Sequence, residues 1–283
     1  MIHVKDLKYT YPGAKEKTIR GITFDIEKGE IFGFLGPSGA GKSTTQKILT
    51  KILQSFSGEV ILADKKLQTW DASFYNHIGV GFELPNHYTR LTALENLEFF
   101  ASFYDKKVIP PMELLHMVGL EADAKKKTGD FSKGMKMRLN FIRALMHDPE
   151  ILFLDEPTAG LDPVNARNIK DIILKEKAKG KTIFLTTHNM HDAEELCDRV
   201  AFISHGHLAV TDSPRKLKLM NGKRIVKVEY GNRKIRSKEF PLDSLGENEE
   251  FIHLIKSENI VAMHSKEAGL DDIFIKLTGM HLN

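Results

Sequence analysis

The stretch GPSGAGKST, Gly36 to Thr44, constrains this chain more than any other. An apolar run, IFGFL, precedes it, and a helical pattern from Lys42 to about Leu53 follows. Closely spaced glycines let a backbone curl until successive N–H groups point at one anion. A helix starting at that point adds its positive dipole end. The pattern G-x-x-x-x-G-K-[ST] runs through Gly36, Pro37, Ser38, Gly39, Ala40, Gly41, Lys42 and Ser43, with Thr44 next, and it describes a cradle for a nucleoside triphosphate. In such a cradle Lys42 reaches the β- and γ-phosphates, and the Ser43 hydroxyl ligates Mg²⁺. A strand, a glycine loop and a helix in that order also place the chain among α/β folds.

Two further apolar runs end in polar groups. ILFLDEP, Ile151 to Pro157, carries Asp155 and Glu156 at the end of a buried strand. Ligands of open α/β sheets bind at the carboxyl ends of strands. Asp155 is therefore expected to hold Mg²⁺, through water, and Glu156 to polarise an attacking water. Two carboxylates beside a triphosphate require a cation. TIFLTTH ends in His188, placed to hydrogen-bond a γ-phosphate and the attacking water.

Strand patterns occupy IHVKDLKYTY and TIRGITFDIEKGEIFGFLG, and EVILAD follows Ser57-Gly58. Residues 84–147 change character and read as a helical insertion. Leu94, Leu97, Phe100, Ala101 and Tyr104 share one face there. Pro110 and Pro111 precede a second helix, MELLHMVGL, with Gly119 near its end. A hairpin-like pair, VAFISHG and HLAVTDS, closes the α/β part. After it the tail reads strand, turn at Gly231-Asn232, strand, helix, strand, helix. The expected division is an α/β domain over 1–219 and a small α+β domain over 220–283.

Bulk properties exclude several classes. A net charge of +3 is too small to argue for nucleic acid. The single cysteine, Cys197, permits no internal disulfide and fits a reducing compartment. It is expected on a helix as a small buried hydrophobe. No apolar run approaches the roughly 18 residues of a membrane span, and the charged, alternating start is not a signal peptide. A cytoplasmic protein is expected, with any membrane role exercised through a partner.

GPSGAGKST, FSKGM, ILFLDEP, AGLDP and TTH, in that order, resemble the ATP-binding subunit of ABC transporters. The likeness covers about residues 1–219, and its specificity lies in the joint order of the motifs. It implies a P-loop NTPase (RecA-like) core, an antiparallel β-subdomain and a helical subdomain at about 84–147. It also implies ATP and Mg²⁺ as ligands and a head-to-tail dimer around two ATP molecules. The second subunit is another copy or a paralogue. Tyr11 falls where the family stacks an aromatic on adenine, although a lone tyrosine there fits a core position as well. Ser132 and Gly134 fall at the signature motif, which caps the γ-phosphate held by the opposing subunit. Asp162 falls in the loop that crosses to the partner.

Two departures stand out. The signature reads FSKGM where the family has LSGGQ, so Lys133 replaces a glycine and Met135 a glutamine. Glu83, in GVGFELPNHY, stands where the family has a glutamine that helps bind Mg²⁺ and links the site to the helical subdomain. The added charge attracts Mg²⁺ and repels the γ-phosphate, each by about 4 kcal/mol at 4 Å and an effective dielectric near 20. Geometry therefore decides the sign. Lys136 is expected to face solvent, as is the run Lys125–Lys127. The ending LDDIFIKLTG resembles the C-terminal extensions of exporter-type subunits. The function implied is ATP hydrolysis coupled to a separate transmembrane permease subunit, with export favoured. The competing class is a soluble ATPase of the same family acting on ribosomes or nucleic acid. Such members carry two cassettes or a long coiled coil, and neither is visible in this chain. An inactive regulatory subunit is disfavoured by Glu156 and His188.

Overall fold

Three strands with no polar side chain to expose build the centre of the molecule: β3 (Ile31–Leu35), β7 (Ile151–Asp155) and β8 (Thr182–Thr187), each buried throughout. Continuous burial is the mark of parallel strands covered on both faces. The computed structural model describes residues 1–222, 225–232, 234–266 and 268–280. Within these, the central strands join β6 (Ile78–Gly81), β9 (Arg199–Ser204) and β10 (His207–Asp212) in a six-stranded sheet of order β10-β9-β3-β8-β7-β6. All pairs are parallel except the β9–β10 hairpin.

A second sheet is antiparallel, in the order β2-β1-β4-β5, from β1 (Ile2–Tyr9), β2 (Ile19–Ile26), β4 (Ser57–Leu62) and β5 (Lys65–Lys66). Its alternating burial leaves one face for the core. That face meets the parallel sheet through a phenylalanine cluster. Phe24 lies 5.5 Å from Phe32 and from Phe34, and Phe184 lies 5.4 Å from Phe34 and 5.8 Å from Phe153. The two sheets are thus clamped together next to the loop that leaves β3. Trp70 is structural: its indole N–H donates to Leu62 O (3.2 Å) under the Lys65 ammonium.

Helix α1 (Lys42–Leu49) is shorter than its pattern suggests. Lys51 takes φ 60°, and the Ile52 and Leu53 amides both fold back to Lys47 O, which ends the helix. The inserted segment holds α2 (Ala93–Ala101), α3 (Pro111–Met117) and α4 (Lys133–Leu145). Thr92 and Glu95 form a capping box at α2. Asn96, buried on the same helix, accepts from Tyr88 N and donates to the Tyr88, Leu91 and Thr92 carbonyls. Gly119, at φ 63°, follows α3 as a C-terminal cap. Helix α4 packs on β6 so closely that a Cβ at Gly79 would sit 2.0 Å from Ala144 O.

Helices α5 (Pro163–Ala178) and α6 (Met190–Leu196) complete the first unit. Cys197 is buried as expected but lies past the end of α6, in extended backbone. Its sulfur occupies the space that a side chain at Gly33 would need, 2.7 Å from where that Cβ would be. Lys136 reaches the surface, where its ammonium donates to Gly129 O (3.3 Å) at an exposed position.

The chain divides into compact units between Ser213 and Pro214. This boundary precedes the expected one and assigns α7 (Pro214–Asn221) to the second unit. There α7 packs with α9 (Leu270–Thr278), and a three-stranded antiparallel sheet runs β12 (Arg236–Pro241), β11 (Ile225–Tyr230), β13 (Ile260–Lys266). Val226, Val228 and Phe240 meet Phe251 and Leu254 of α8 (Glu249–Ser257) in its core.

Two histidines inside the first unit set a pH prediction. Burial lowers His87 and His147 to about 4, below their ordinary value near 6.5. Both are thus neutral in the fold and protonate more readily once unfolded. Their contribution is complete above pH 6.5 and is lost as pH falls from 6.5 through 4. The melting temperature should fall over that interval, and His147→Leu should flatten the slope. A melting temperature independent of pH between 7 and 4.5 contradicts this assignment.

Candidate active site

The sheet order brings the polar strand ends together. Strand β8 lies between β3 and β7, with Leu35 paired to Thr187 and Asp155 paired to Thr186. The glycine loop, the two carboxylates and His188 therefore leave the sheet at one edge. A cleft of about 420 Å³ opens there, lined by Tyr11, Ser38, Gly39, Gly41, Lys42, Ser43, Thr44, Glu83, Asp155, Glu156 and His188, and by Thr18.

The loop is built for backbone approach. A side chain at Gly36 would strike Ile203 O at 2.3 Å, and one at Gly41 would strike Ile19. Gly39 and Gly41 also take φ 77° and 115°, a region that favours glycine. Beyond Gly39 the space is open, so an anion can reach the loop. Pro37 and Ala40 complete the turn, with Ala40 N donating to Pro37 O at 3.2 Å. Lys42 is buried, and its ammonium donates to Gly36 O (2.6 Å) and Pro37 O (3.1 Å). Burial lowers its pKa, against the opposing pull of Glu156, Asp155 and Glu83. Those three carboxylates keep the cation inside the cleft.

Glu156 is the most tightly held group. Its Oε1 accepts from His188 N (2.9 Å) and His188 Nδ1 (2.7 Å), and its Oε2 from the Thr187 hydroxyl (3.0 Å). A carboxylate has about four acceptor positions, so three donors leave one for a water proton. The residue also sits at φ 49°, a conformation costing on the order of 1–3 kcal/mol. Glu156 N to Thr186 O (3.0 Å) and Ala159 N to Glu156 O (3.1 Å) hold it there. Asp155 accepts from the Thr186 hydroxyl through Oδ1, and no donor among the described residues reaches Oδ2. Neither threonine was singled out by the sequence reading, although two hydroxyls closing the apolar run TIFL were the available signal.

Tyr11 lies at the cleft mouth, its hydroxyl 3.1 Å from that of Thr44 and its ring edge-on to Tyr9. Ser132, Gly134 and Asp162 do not line the cleft. Ser132 caps α4, accepting from Met135 N at 3.2 Å. Asp162 caps α5, accepting from Val164 N and Asn165 N, and these bonds, with one from the Asn165 side chain, lower its pKa. The two segments are neighbours. A Cβ at Gly134 would touch Leu161, and the Lys133 stem runs within 3.2 Å of where a Cβ at Gly160 would stand.

Residues 19–159 match the ABC transporter family model, and residues 224–267 match the fluoroquinolone efflux ABC transporter C-terminal domain. A fluoroquinolones export ATP-binding protein of Mycobacterium tuberculosis is 51% identical across all of this chain and 94% of its own length. The chain belongs to the ABC transporter family. Nod factor export ATP-binding protein I of Burkholderia pseudomallei is 34% identical over 93% of each chain. An ATP-binding cassette solved as a dimer in a post-hydrolysis state with ADP and Pi superposes with a TM-score of 0.69 at 28% identity, covering 75% of this chain and 98% of that one. This ABC subunit binds and hydrolyses ATP. The transporter reading therefore stands over the soluble ribosome- or nucleic-acid-acting one. No helix among the described residues is long and apolar enough to cross a membrane.

Replacing Glu156 by glutamine keeps its shape and most of its hydrogen bonds but removes the base. Turnover should drop about 10²- to 10⁴-fold while ATP binding persists. Steady-state phosphate release and nucleotide binding to the purified variant check this. Loss of binding together with turnover contradicts it.

Proposed function

We propose that the protein is the energy-coupling subunit of an ABC exporter, closing as a dimer around two Mg-ATP and driving a separate transmembrane permease subunit. The observation that carries the catalytic half is Glu156, fixed by Thr187 and His188 beside the Lys42 cradle. The glycine loop and Lys42 bind the triphosphate, and Tyr11 receives the adenine. Glu156 orients a water and takes its proton at the open acceptor position. His188 donates through Nδ1 to Glu156 and, as an imidazolium, through Nε2 to the γ-phosphate.

The donor set suits a hard cation: the Ser43 hydroxyl, the available Asp155 oxygen and the Glu83 carboxylate line one cleft. When bound there, Mg²⁺ offsets the charge that builds on the phosphate oxygens. Ser132 and Gly134 cap the nucleotide of the partner subunit, which agrees with their place outside this chain's own cleft. Asp162 lies in the loop that faces the partner. Lys133 adds a cation next to both segments. The second subunit is a copy of this chain or a paralogue.

The permease is expected at a groove of about 600 Å³ that shares Ser43, Glu83 and Asp155 with the nucleotide cleft and extends to Leu84, Tyr88, Phe100 and Arg143. Leu84, Tyr88, Phe99 and Phe103 are exposed there or close by in the chain. The subunit would then sit on the cytoplasmic face of the membrane through its partner, with the small C-terminal domain as an accessory unit. The identity to an export protein along the whole chain, together with the match of residues 224–267, supports export and makes fluoroquinolones the first substrates to test.

With Mg-ATP, the Glu156→Gln variant should sediment as a dimer and revert to monomer with ADP. Lys133→Gly should weaken the dimer and reduce its salt dependence. A monomer under all nucleotide conditions, with the permease absent and present, contradicts the closed-dimer reading. Co-expression with the permease should raise fluoroquinolone resistance, and Glu156→Gln should abolish the gain. Unchanged sensitivity overturns the substrate alone.

A further inference from the structure

Glu83 makes no hydrogen bond or ion pair among the described residues, so the backbone around it sets its position. Strand β6 stops at Gly81. From there to His87 no backbone-to-backbone hydrogen bond among the described residues anchors the chain. One face of α4 does so instead. Asn140 Nδ2 donates to Phe82 O (2.7 Å), Arg143 Nη1 donates to Asn86 O (2.8 Å), and His87 Nε2 donates to Lys136 O (2.9 Å). Residues 136, 140 and 143 follow the helical spacing of one stripe.

Asn140 stands at the centre of this ladder and is almost fully buried. Arg143 Nη2 donates to its Oδ1 at 2.9 Å. A guanidinium can only donate, so this bond fixes which end of the amide faces Phe82. The amide is thereby locked with its N–H toward the carbonyl immediately before Glu83. An apolar side chain would fill the same space and leave Phe82 O without its donor. A buried amide with both ends committed costs little, and it specifies one geometry.

We propose that Asn140, oriented by Arg143, is the positioning residue that fixes Glu83 in the nucleotide cleft relative to the signature helix. It touches neither nucleotide nor reacting atoms. Helix α4 begins at the Ser132 cap, so Glu83 and the signature serine become two points on one rigid body. The position that α4 takes is then the position that Glu83 takes.

The test is a double-mutant cycle on the full-length protein, Asn140→Leu with Glu83→Gln, read by turnover and by NMR backbone order parameters. Acting through Glu83, Asn140→Leu should lower kcat about tenfold in the wild-type background and by no more than about twofold when Glu83 is already glutamine. The NMR backbone order parameters of Glu83, Leu84, Asn86 and His87 should fall in the single variant, with those of α1 unchanged. Equal losses in both backgrounds, or unaltered order parameters at Glu83, Leu84, Asn86 and His87, overturn the proposal. Should Asn140→Leu not fold, Asn140→Ser, too short to reach Phe82 O, gives the same comparison. The order-parameter measurement does not depend on turnover, so it stands even if the role of Glu83 toward Mg²⁺ fails.

Discussion

The interaction on which the site depends is the pairing of β8 with β3 on one side and β7 on the other. That pairing sets Thr187 beside Leu35 and Thr186 beside Asp155. It places two hydroxyls between the phosphate loop and the two carboxylates. Through them Asp155 keeps an oxygen for a cation, and Glu156 keeps one acceptor position for water. The strain at Glu156 is tolerated because backbone bonds from β8 and from Ala159 hold the residue on both sides. A rigid parallel sheet, packed through phenylalanines against the antiparallel one, supplies the stiffness that this geometry requires.

On the proposed reading the site is completed by a second chain. Lys42, Glu156 and His188 converge on a cleft that Ser132, Gly134 and Asp162 do not reach. The signature and the Asp162 loop lie together, bridged by the Lys133 stem over Gly160. On the proposed dimer reading, one subunit carries two half-sites of different kinds. This asymmetry within the chain is what a head-to-tail dimer satisfies, because each half-site meets the other kind on its partner. Inside the chain α4 starts at the Ser132 cap and holds, at its middle, the segment bearing Glu83.

Much of this was legible because the chemistry is local in sequence. Gly36 to Thr44 must be a glycine loop between strand and helix, since only that arrangement makes the residues useful together. The carboxylates at the end of ILFLD and the histidine after TIFLTT announced strand termini in the same way. Local patterns failed where a distant residue decided the outcome. Helix α1 stops before Leu53 because Lys51 turns left-handed, and Cys197 lies beyond its helix, packed where Gly33 leaves room. The unit boundary lies at Ser213 rather than at 219/220, because α7 belongs with α9, more than forty residues later.

By itself the sequence determined the fold family, the order of the motifs and which polar groups stand at the strand ends, because each rests on residues adjacent in the chain. Only the tertiary structure decided that Thr186 and Thr187 hold the two carboxylates, that Glu83 faces the same cleft as Lys42, and that Asn140 ties Glu83 to the signature helix. Those relations join residues tens of positions apart. They arise from strand order and helix packing, and short-range patterns of charge and hydrophobicity do not encode which distant partner a buried polar group will meet.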